Sequence, residues 1–376
     1  MFLALREMAR AKVRFGLLVA ALGLLVFLIL FQQSLRDGLI SSFIGAVENQ
    51  NAPVLVYSLD GQRVIQGSVM TAELESLVET TPGVGAAARV GQGTFTGVPD
   101  GGDERFDTTI IGYEASVGLG APETLVTGRL PAAPGEAVAS EASAPDGFDV
   151  GDSVTILPGG TRVTIVGLAR NAQLNASPTL FTHYDTWVDV TTSVNPDAGT
   201  PVPNIMAVSP AEGVSPDALV EAINERSPDL DALTRSDAAA ETPGVSQVQQ
   251  SFSIIFGLYG LVVPCITGLF FLIVTFQKAG ALTLLRAIGA PAHRLVTSLL
   301  IQVTIIVVSG YALGTLLYTP LSRRRIGGIQ LSFETAAVVG WAIALTVLAL
   351  VSAAFAARRV LRIDPIEATT GAGVGT

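Results

Sequence analysis

Few residues in this chain carry the side chains from which metal and nucleophile sites are built. The 376 residues include one cysteine, Cys265, and two histidines, His183 and His293. A single cysteine excludes an intrachain disulfide and a cysteine-based zinc or iron–sulfur site. His183 stands beside Tyr184 and has the donor atom that a haem or a metal ion needs. A lone histidine is more often structural, because a metal site needs several convergent ligands. We therefore expect neither a metal nor a cofactor.

Nucleotide and ester hydrolysis are disfavoured on similar grounds. A Walker A loop needs a Gly-Lys-Ser/Thr sequence, because its lysine reaches the nucleotide phosphates. The two lysines of the chain are Lys12, which follows Ala11, and Lys278, which follows Gln277. The sequence also lacks the Gly-x-Ser-x-Gly pattern of a nucleophilic serine. We expect no catalytic residues, and therefore no enzyme.

The charges are divided unevenly along the chain. Residues 36–248 carry 28 acidic and 9 basic side chains, a net charge of −19, whereas the remaining residues carry 4 acidic and 13 basic ones, a net charge of +9. Only 14% of all residues are charged, and 49% are hydrophobic. The net charge of −10 argues against binding to nucleic acid. This pattern is typical of a membrane protein with an acidic domain facing water.

Four long stretches without Asp, Glu, Lys, Arg or His predict membrane spans, at 15–34, 249–276, 295–318 and 335–357. A helix rises about 1.5 Å per residue, so about 20 apolar residues cross the hydrocarbon core of a bilayer. Four separate runs of this length favour membrane spans over buried helices of a soluble core. The first run is longer than the apolar part of a signal peptide and lacks a clear cleavage site, so we interpret it as a retained anchor.

The distribution of Lys and Arg predicts the orientation in the membrane. Ten basic residues lie in the tail 1–14, the loop 277–294 and the tail 358–376, which we place in the cytoplasm. Three arginines, Arg323 to Arg325, lie in the loop 319–334 on the opposite side and disagree with this orientation. The majority places both termini of a multi-pass cell-membrane protein in the cytoplasm and residues 35–248 outside.

The segment 35–248 is predicted to be an α+β domain inserted between the first two spans. Residues 35, 39, 43 and 47 form an apolar stripe that would continue the first helix outward as a stalk. Strands are predicted at 53–57 and in a hairpin at 152–167, and helices begin after Thr71 and Ser215, which are good N-cap residues. The glycine-rich segment 91–103 is predicted to be an irregular loop, and a second stalk is expected to lead from 246–250 into the second span.

Three segments resemble one family. Residues 277–291 read QKAGALTLLRAIGAP, and their Leu-Arg-Ala-Ile-Gly-Ala core resembles the "LRAlGa" signature of the FtsX/MacB-like permease family of ABC transporters. The ending VLRIDPIEA at 360–368 is similar to the family's "ar.rrldPaeAl", and VGDSV at 150–154 to its "vGD.v.l". The order of these motifs and the arrangement of the spans resemble the family over nearly the whole chain, and most closely its DevC/HrtB-type exporters. The fold expected from this resemblance is a four-helix transmembrane domain with an extracytoplasmic α+β domain between the first and second spans, as in type VII ABC permeases.

The resemblance implies a docking segment for a partner. In this family, the loop after the second span forms a coupling helix that docks into a groove of a separate P-loop ATPase, which binds the ATP. The expected docking residues are Lys278, Leu282, Leu285, Arg286, Ala287, Ile288 and Gly289. The chain departs from the family at Ala281, where an acidic residue is common. An amphipathic helix resting at the membrane surface is the alternative interpretation of this loop.

The resemblance also implies a mechanism. Two copies of the chain would pair with two ATPases, and the motion of the ATPases would drive the outer domain to extrude a lipophilic substrate without an aqueous tunnel through the bilayer. Residues Phe27, Phe31, Phe252 and Phe256 offer apolar contacts to such a substrate, although plain helix packing would use them equally well. The alternative function is FtsX-like signalling, in which the same motion switches a cell-wall hydrolase bound to the outer domain.

Overall fold

The fold was analysed in a computed structural model that describes residues 12–277, 292–322, 325–326, 329–331 and 335–361. Contacts divide the chain into an α/β unit, Gly38–Gln249, and a helical unit made of residues before and after it in sequence. The predicted fold class is confirmed, because an α/β domain is inserted between the first and second of the long apolar helices.

The described helices are α1 (Lys12–Glu48), α2 (Ala72–Glu79), α3 (Tyr184–Val194), α4 (Pro216–Arg226), α5 (Arg235–Glu241), α6 (Val245–Gln277), α7 (Ala292–Tyr318) and α8 (Thr335–Leu361). The described strands are β1 (Val54–Ser58), β2 (Val84–Pro99), β3 (Phe106–Tyr113), β4 (Leu125–Gly128), β5 (Glu136–Ser140), β6 (Ser153–Leu157), β7 (Thr161–Ala169), β8 (Thr179–His183), β9 (Ile205–Pro210), β10 (Leu230–Thr234), β11 (Arg325–Ile326) and β12 (Ile329–Gln330).

The helices of the helical unit, two of which continue along the chain into the α/β unit, include segments long and apolar enough to cross a membrane. Three of them meet both criteria, namely Phe15–Glu48, Val245–Ile266 and Leu300–Tyr318, and Thr335–Val351 in α8 is a shorter apolar helix over its described side chains. Large apolar side chains also point away from the interior of the unit, among them Leu24, Leu258, Leu316 and Ile343. A helix bundle surrounded by water would not expose so many large apolar groups, whereas a bundle surrounded by lipid would.

Glycines let α1 and α7 approach closely. A Cβ atom added to Gly314 would lie 2.6 Å from the carbonyl oxygen of Gly23, and one added to Gly310 would lie 2.9 Å from Leu22 Cδ2. The spacing Gly310-x-x-x-Gly314 places both glycines on one face of α7. Around this contact, Val26, Ile29 and Leu30 of α1 form an apolar cluster whose other buried members are Val263, Tyr318 and Leu345.

The α/β unit is built on a ten-stranded mixed sheet with the main order β10-β1-β9-β2-β3-β8-β5-β7-β4, and β6 pairs with both β2 and β7. The pairs β3–β8 and β5–β7 are parallel, and the other pairs are antiparallel. Strand β1 is buried on both faces. Val54 and Val56 pack in a cluster with α2 and α4, whereas Leu55 and Tyr57 pack in a cluster with the end of α1.

Several local elements agree with the sequence predictions. The Thr71 side chain caps α2 by accepting a hydrogen bond from Leu74 N, and the Ser215 side chain caps α4 by accepting one from Ala218 N. Strands β6 and β7 form the predicted antiparallel hairpin. Strand β1 covers most of the predicted 53–57, and α1 continues to Glu48 as the apolar stripe indicated. These elements were predictable because their signals are local.

The prediction of an irregular loop at 91–103 is wrong over most of its length. Residues 91–99 belong to the 16-residue strand β2. Gly91 pairs with Gly112 of β3, and a Cβ atom on either residue would lie 2.4 Å from an atom of Trp187 on α3. The glycines are therefore required by the indole that packs on the sheet at this point, and they do not mark a break in the strand.

The contact between α1 and α7 yields a stability prediction. In Gly314→Ala the new methyl group meets the backbone of Gly23, and overpacking of this kind costs about 1–3 kcal/mol. We expect a lower melting temperature for the full chain in detergent. The temperature at which its monodisperse size-exclusion peak is lost should fall by several degrees. Gly340→Ala in α8 is the matched control, because a Cβ atom there meets nothing within 4 Å. Equal melting of both variants would show that the helices do not pack through Gly314.

A second prediction concerns the glycines under Trp187. Gly91→Ala should destabilise the α/β unit by about 1–3 kcal/mol because the methyl group overlaps the indole. Trp187→Leu should also destabilise the unit, but adding Gly91→Ala to Trp187→Leu should cost much less than it does alone. Limited proteolysis of the full chain measures these changes. Additive effects of the two substitutions would contradict the contact between Gly91 and Trp187. The control is Gly102→Ala, because the atom nearest to a Cβ atom there lies 3.8 Å away.

Candidate functional site

The candidate site is the junction, defined as the end of α1, the loop 171–177 and residues 235–249, all within the α/β unit. Ile44, Ala46 and Val47 at the end of α1 are buried in the same apolar cluster as Val245, the first residue of α6. Both helices that flank the inserted domain are thus anchored in one core. Tyr57 is fully buried in this cluster, and its burial raises the pKa of the phenol well above its ordinary value, so the group stays neutral.

The loop 171–177 binds the backbone of α1. The amides of Asn175 and Ala176 donate to the carbonyl oxygens of Phe43 and Ser42 at 3.0 and 2.8 Å. In the opposite direction, the amide of Ala46 donates to Gln173 O at 2.8 Å. A loop that reaches the main chain of a helix in this way holds the helix at defined residues through backbone atoms. We call these three bonds the clamp.

Particular residue types make the clamp possible. Gly45 leaves the space that the loop occupies, because a Cβ atom there would lie 2.2 Å from Asn171 O. The Asn49 side chain donates to the same carbonyl oxygen at 2.9 Å. Asn171, Asn175 and Ala176 have φ angles of 48°, 54° and 55°, in the left-handed region that asparagine tolerates better than most residues. This loop was not predicted from the sequence, in which its two asparagines were the available signal.

A second set of contacts holds the segment that follows α1. The Arg235 guanidinium donates to Gln50 O at 2.5 Å and to Glu123 Oε2 at 2.8 Å. The amide of Arg235 donates to Pro53 O at 2.9 Å, and the amide of Glu123 donates to Asn49 O at 2.8 Å. The segment after α1 is therefore bound to residues that directly follow β10 and precede β4, and the junction is held from two sides.

The four predicted substrate-facing phenylalanines lie in the helical unit as two pairs. The ring centroids of Phe27 and Phe31 are 6.3 Å apart, and those of Phe252 and Phe256 are 6.2 Å apart. Phe256 also lies 5.5 Å from Trp341 of α8. All four rings are half-buried, and Phe27 and Phe31 pack against the cluster around Val26 and Ile29. The rings therefore contribute to helix packing and still present surface.

The seven predicted docking residues lie outside the described residues; they are Lys278, Leu282, Leu285, Arg286, Ala287, Ile288 and Gly289. His183 is described, at the end of β8, and its Nε2 atom lies 3.2 Å from Pro131 O. Within the described part of the chain, no three His, Cys, Asp or Glu side chains gather as ligands for a metal ion. His183 therefore has a structural contact.

No family model matches the chain. The periplasmic region of MacB from Actinobacillus actinomycetemcomitans is similar over 56% of this chain and 95% of that chain, with 14% identity and a TM-score of 0.36. The extracellular domain of the noncanonic ABC-type transporter YknZ from Gram-positive bacteria is similar over 49% of this chain and 100% of that chain, with 14% identity and a TM-score of 0.34. Both matches cover nearly all of the solved domain and about half of this chain.

The clamp gives a prediction that hydrogen–deuterium exchange of the loop 171–177 can test. Gly45→Ala should push the Asn171 carbonyl away, which breaks the hydrogen bonds of Asn175 and Ala176 to α1. If the overlap costs about 1–3 kcal/mol, amide exchange in a peptide covering 171–177 should accelerate by at least about fivefold. Hydrogen–deuterium exchange of the full chain measures this rate. The control is Gly16→Ala on the same helix, where a Cβ atom meets nothing within 4 Å, and it should leave this exchange rate unchanged. An unchanged exchange rate in Gly45→Ala would refute the clamp.

Proposed function

We propose that the chain is the permease subunit of an ABC transporter and that a separate P-loop ATPase drives it to extrude a lipophilic substrate. The observation that carries this proposal is the architecture of the junction. A domain is inserted between two long apolar helices, and both helices have their domain-side ends in its hydrophobic core. Such a domain responds to a movement of either helix.

The proposed mechanism is mechanical. The ATPase binds the loop 277–294, closes when it binds ATP, and moves α6, which begins at Val245 within the core of the α/β unit. The clamp on α1 and the Arg235 contacts keep the core intact while it is moved. The chain itself performs no hydrolysis and binds no ATP. Two copies of the chain act with two ATPases, as the family resemblance implies.

The helical unit suits a lipophilic substrate. Its four predicted spans contain no Asp, Glu, Lys, Arg or His, so they offer apolar surface and no charged pathway. Phe27, Phe31, Phe252 and Phe256 are the residues proposed to contact the substrate, because their half-buried rings retain accessible surface. The excess of basic residues in 1–14, 277–294 and 358–376 supports cytoplasmic termini and an extracytoplasmic α/β unit in the cell membrane.

Co-purification tests the proposal. The tagged chain, extracted from its native membranes in mild detergent, should retain a P-loop ATPase of about 200–250 residues, a common domain size, in equal amount. Arg286→Glu should abolish this retention, because it reverses the charge of a predicted docking residue. Arg105→Glu, at an exposed position of the α/β unit, is the matched control and should retain the ATPase.

The contrary outcomes are distinct. Recovery without any ATPase, or full retention by Arg286→Glu, would contradict docking through 277–294. If the ATPase is retained but its activity responds to a bound extracytoplasmic protein and to no lipophilic compound, the chain serves FtsX-like signalling and not export.

A further inference from the structure

Two neighbouring clefts of the α/β unit differ in chemistry and share a wall. The first, of about 230 Å³, is lined mainly by apolar side chains that include Phe43, Val245 and Val248. The second, of about 410 Å³, is lined by Glu48, Glu123 and Arg235 among others. Ile40 and Ile44 of α1 line both clefts. An apolar cleft and a charged cleft that share these two lining residues suit a ligand with an apolar and a charged part.

The charged cleft has an excess of one negative charge. Arg235 is already bound, because its guanidinium donates to Glu123 and to the carbonyl oxygen of Gln50. Glu48 is exposed and forms no ion pair with any residue that the structure describes. The group that complements this cleft is therefore a cation, such as an ammonium group whose N–H groups would donate hydrogen bonds to the Glu48 carboxylate.

The order of the two clefts along α1 fixes the orientation of the ligand. Ile40, Ile44 and Glu48 follow one another at four-residue intervals, so they form one stripe along the helix. Each step along this stripe is about 6 Å. In sequence, the apolar end of the stripe is the end nearer to the predicted span 15–34. A chain-like ligand would place its tail beside Leu39 and Phe43 and its head beside Glu48.

We propose that these clefts bind an amphiphile with an ammonium head and an alkyl tail. The half-exposed Phe43 ring supports this choice of occupant, because an apolar group of that size gains by being covered. Binding does not depend on an ATPase, but the interpretation of this amphiphile as the class of transported substrate rests on the proposed function.

Photo-crosslinking tests the site directly. The full chain, in nanodiscs of phosphatidylcholine, is exposed to octylammonium that carries a diazirine in its tail, and the labelled peptides are identified by mass spectrometry. An octyl sulfate with the same tail is the matched probe. The ammonium probe should label residues within 39–44 or 243–248, and it should do so about three- to fivefold more than the sulfate probe, which is the upper part of the range for one exposed charge pair.

Two variants test the contacts of the ammonium head and of the alkyl tail separately. Glu48→Gln should reduce labelling by the ammonium probe about three- to fivefold, whereas Glu225→Gln, at an exposed carboxylate of α4, should not change it. Val248→Trp should fill the apolar cleft and abolish labelling by both probes. Leu258→Trp, at an exposed position on the same helix, should leave labelling unchanged.

The labelling results show whether the proposed site exists and where its ligand comes from. Equal labelling by both probes, no effect of Glu48→Gln, or crosslinks confined to other residues would overturn the proposal. If phosphatidylethanolamine in the nanodisc displaces the probe, the ligand is an aminolipid of the bilayer, and if it does not, the ligand comes from outside the membrane lipids; both results support the site. Because no ATPase is present, loss of the ATPase partner would leave this test intact, and its failure would leave the permease proposal intact.

Discussion

The position of the end of α1 in the core of the α/β unit depends on three backbone hydrogen bonds between this helix and the loop 171–177. They require a helix position without a side chain, which Gly45 supplies, and a loop that adopts left-handed conformations, which Asn171 and Asn175 tolerate. With α1 held in this way, its last turn contributes Ile44 and Val47 to the core, and the chain turns into β1. Because the bonds join main-chain atoms, they hold the last turns of α1 against the loop 171–177 and satisfy backbone groups on both.

The two units use apolar surface differently. In the α/β unit, apolar side chains face inward on both sides of β1, and the surface carries the acidic residues. In the helical unit, glycines on α7 provide close packing, whereas large apolar residues such as Leu258 and Ile343 point outward. This contrast follows from the charge division in the sequence, and it fits a chain that places one unit in water and the other in lipid.

Signals that act within a few residues were readable from the sequence. The caps at Thr71 and Ser215 and the hairpin of β6 and β7 depend on neighbours in the chain. The glycines of β2 were misread because the reason for them is Trp187, almost one hundred residues away. The clamp was missed for the same reason, since the loop 171–177 that forms it follows α1 by more than one hundred residues. The docking segment was recognisable only by resemblance, and it remains a prediction.

The central claim is that movement of the helices is transmitted to the α/β unit through the junction. It is tested most directly in vesicles that contain the chain with the ATPase proposed to drive it, by measuring the number of ATP molecules hydrolysed per molecule of lipophilic compound exported. The account predicts that Gly45→Ala raises this ratio, because ATP turnover continues while the loosened clamp transmits less movement, and that Gly16→Ala leaves it unchanged. An unchanged ratio in Gly45→Ala, with exchange of 171–177 shown to be accelerated, would contradict the claim.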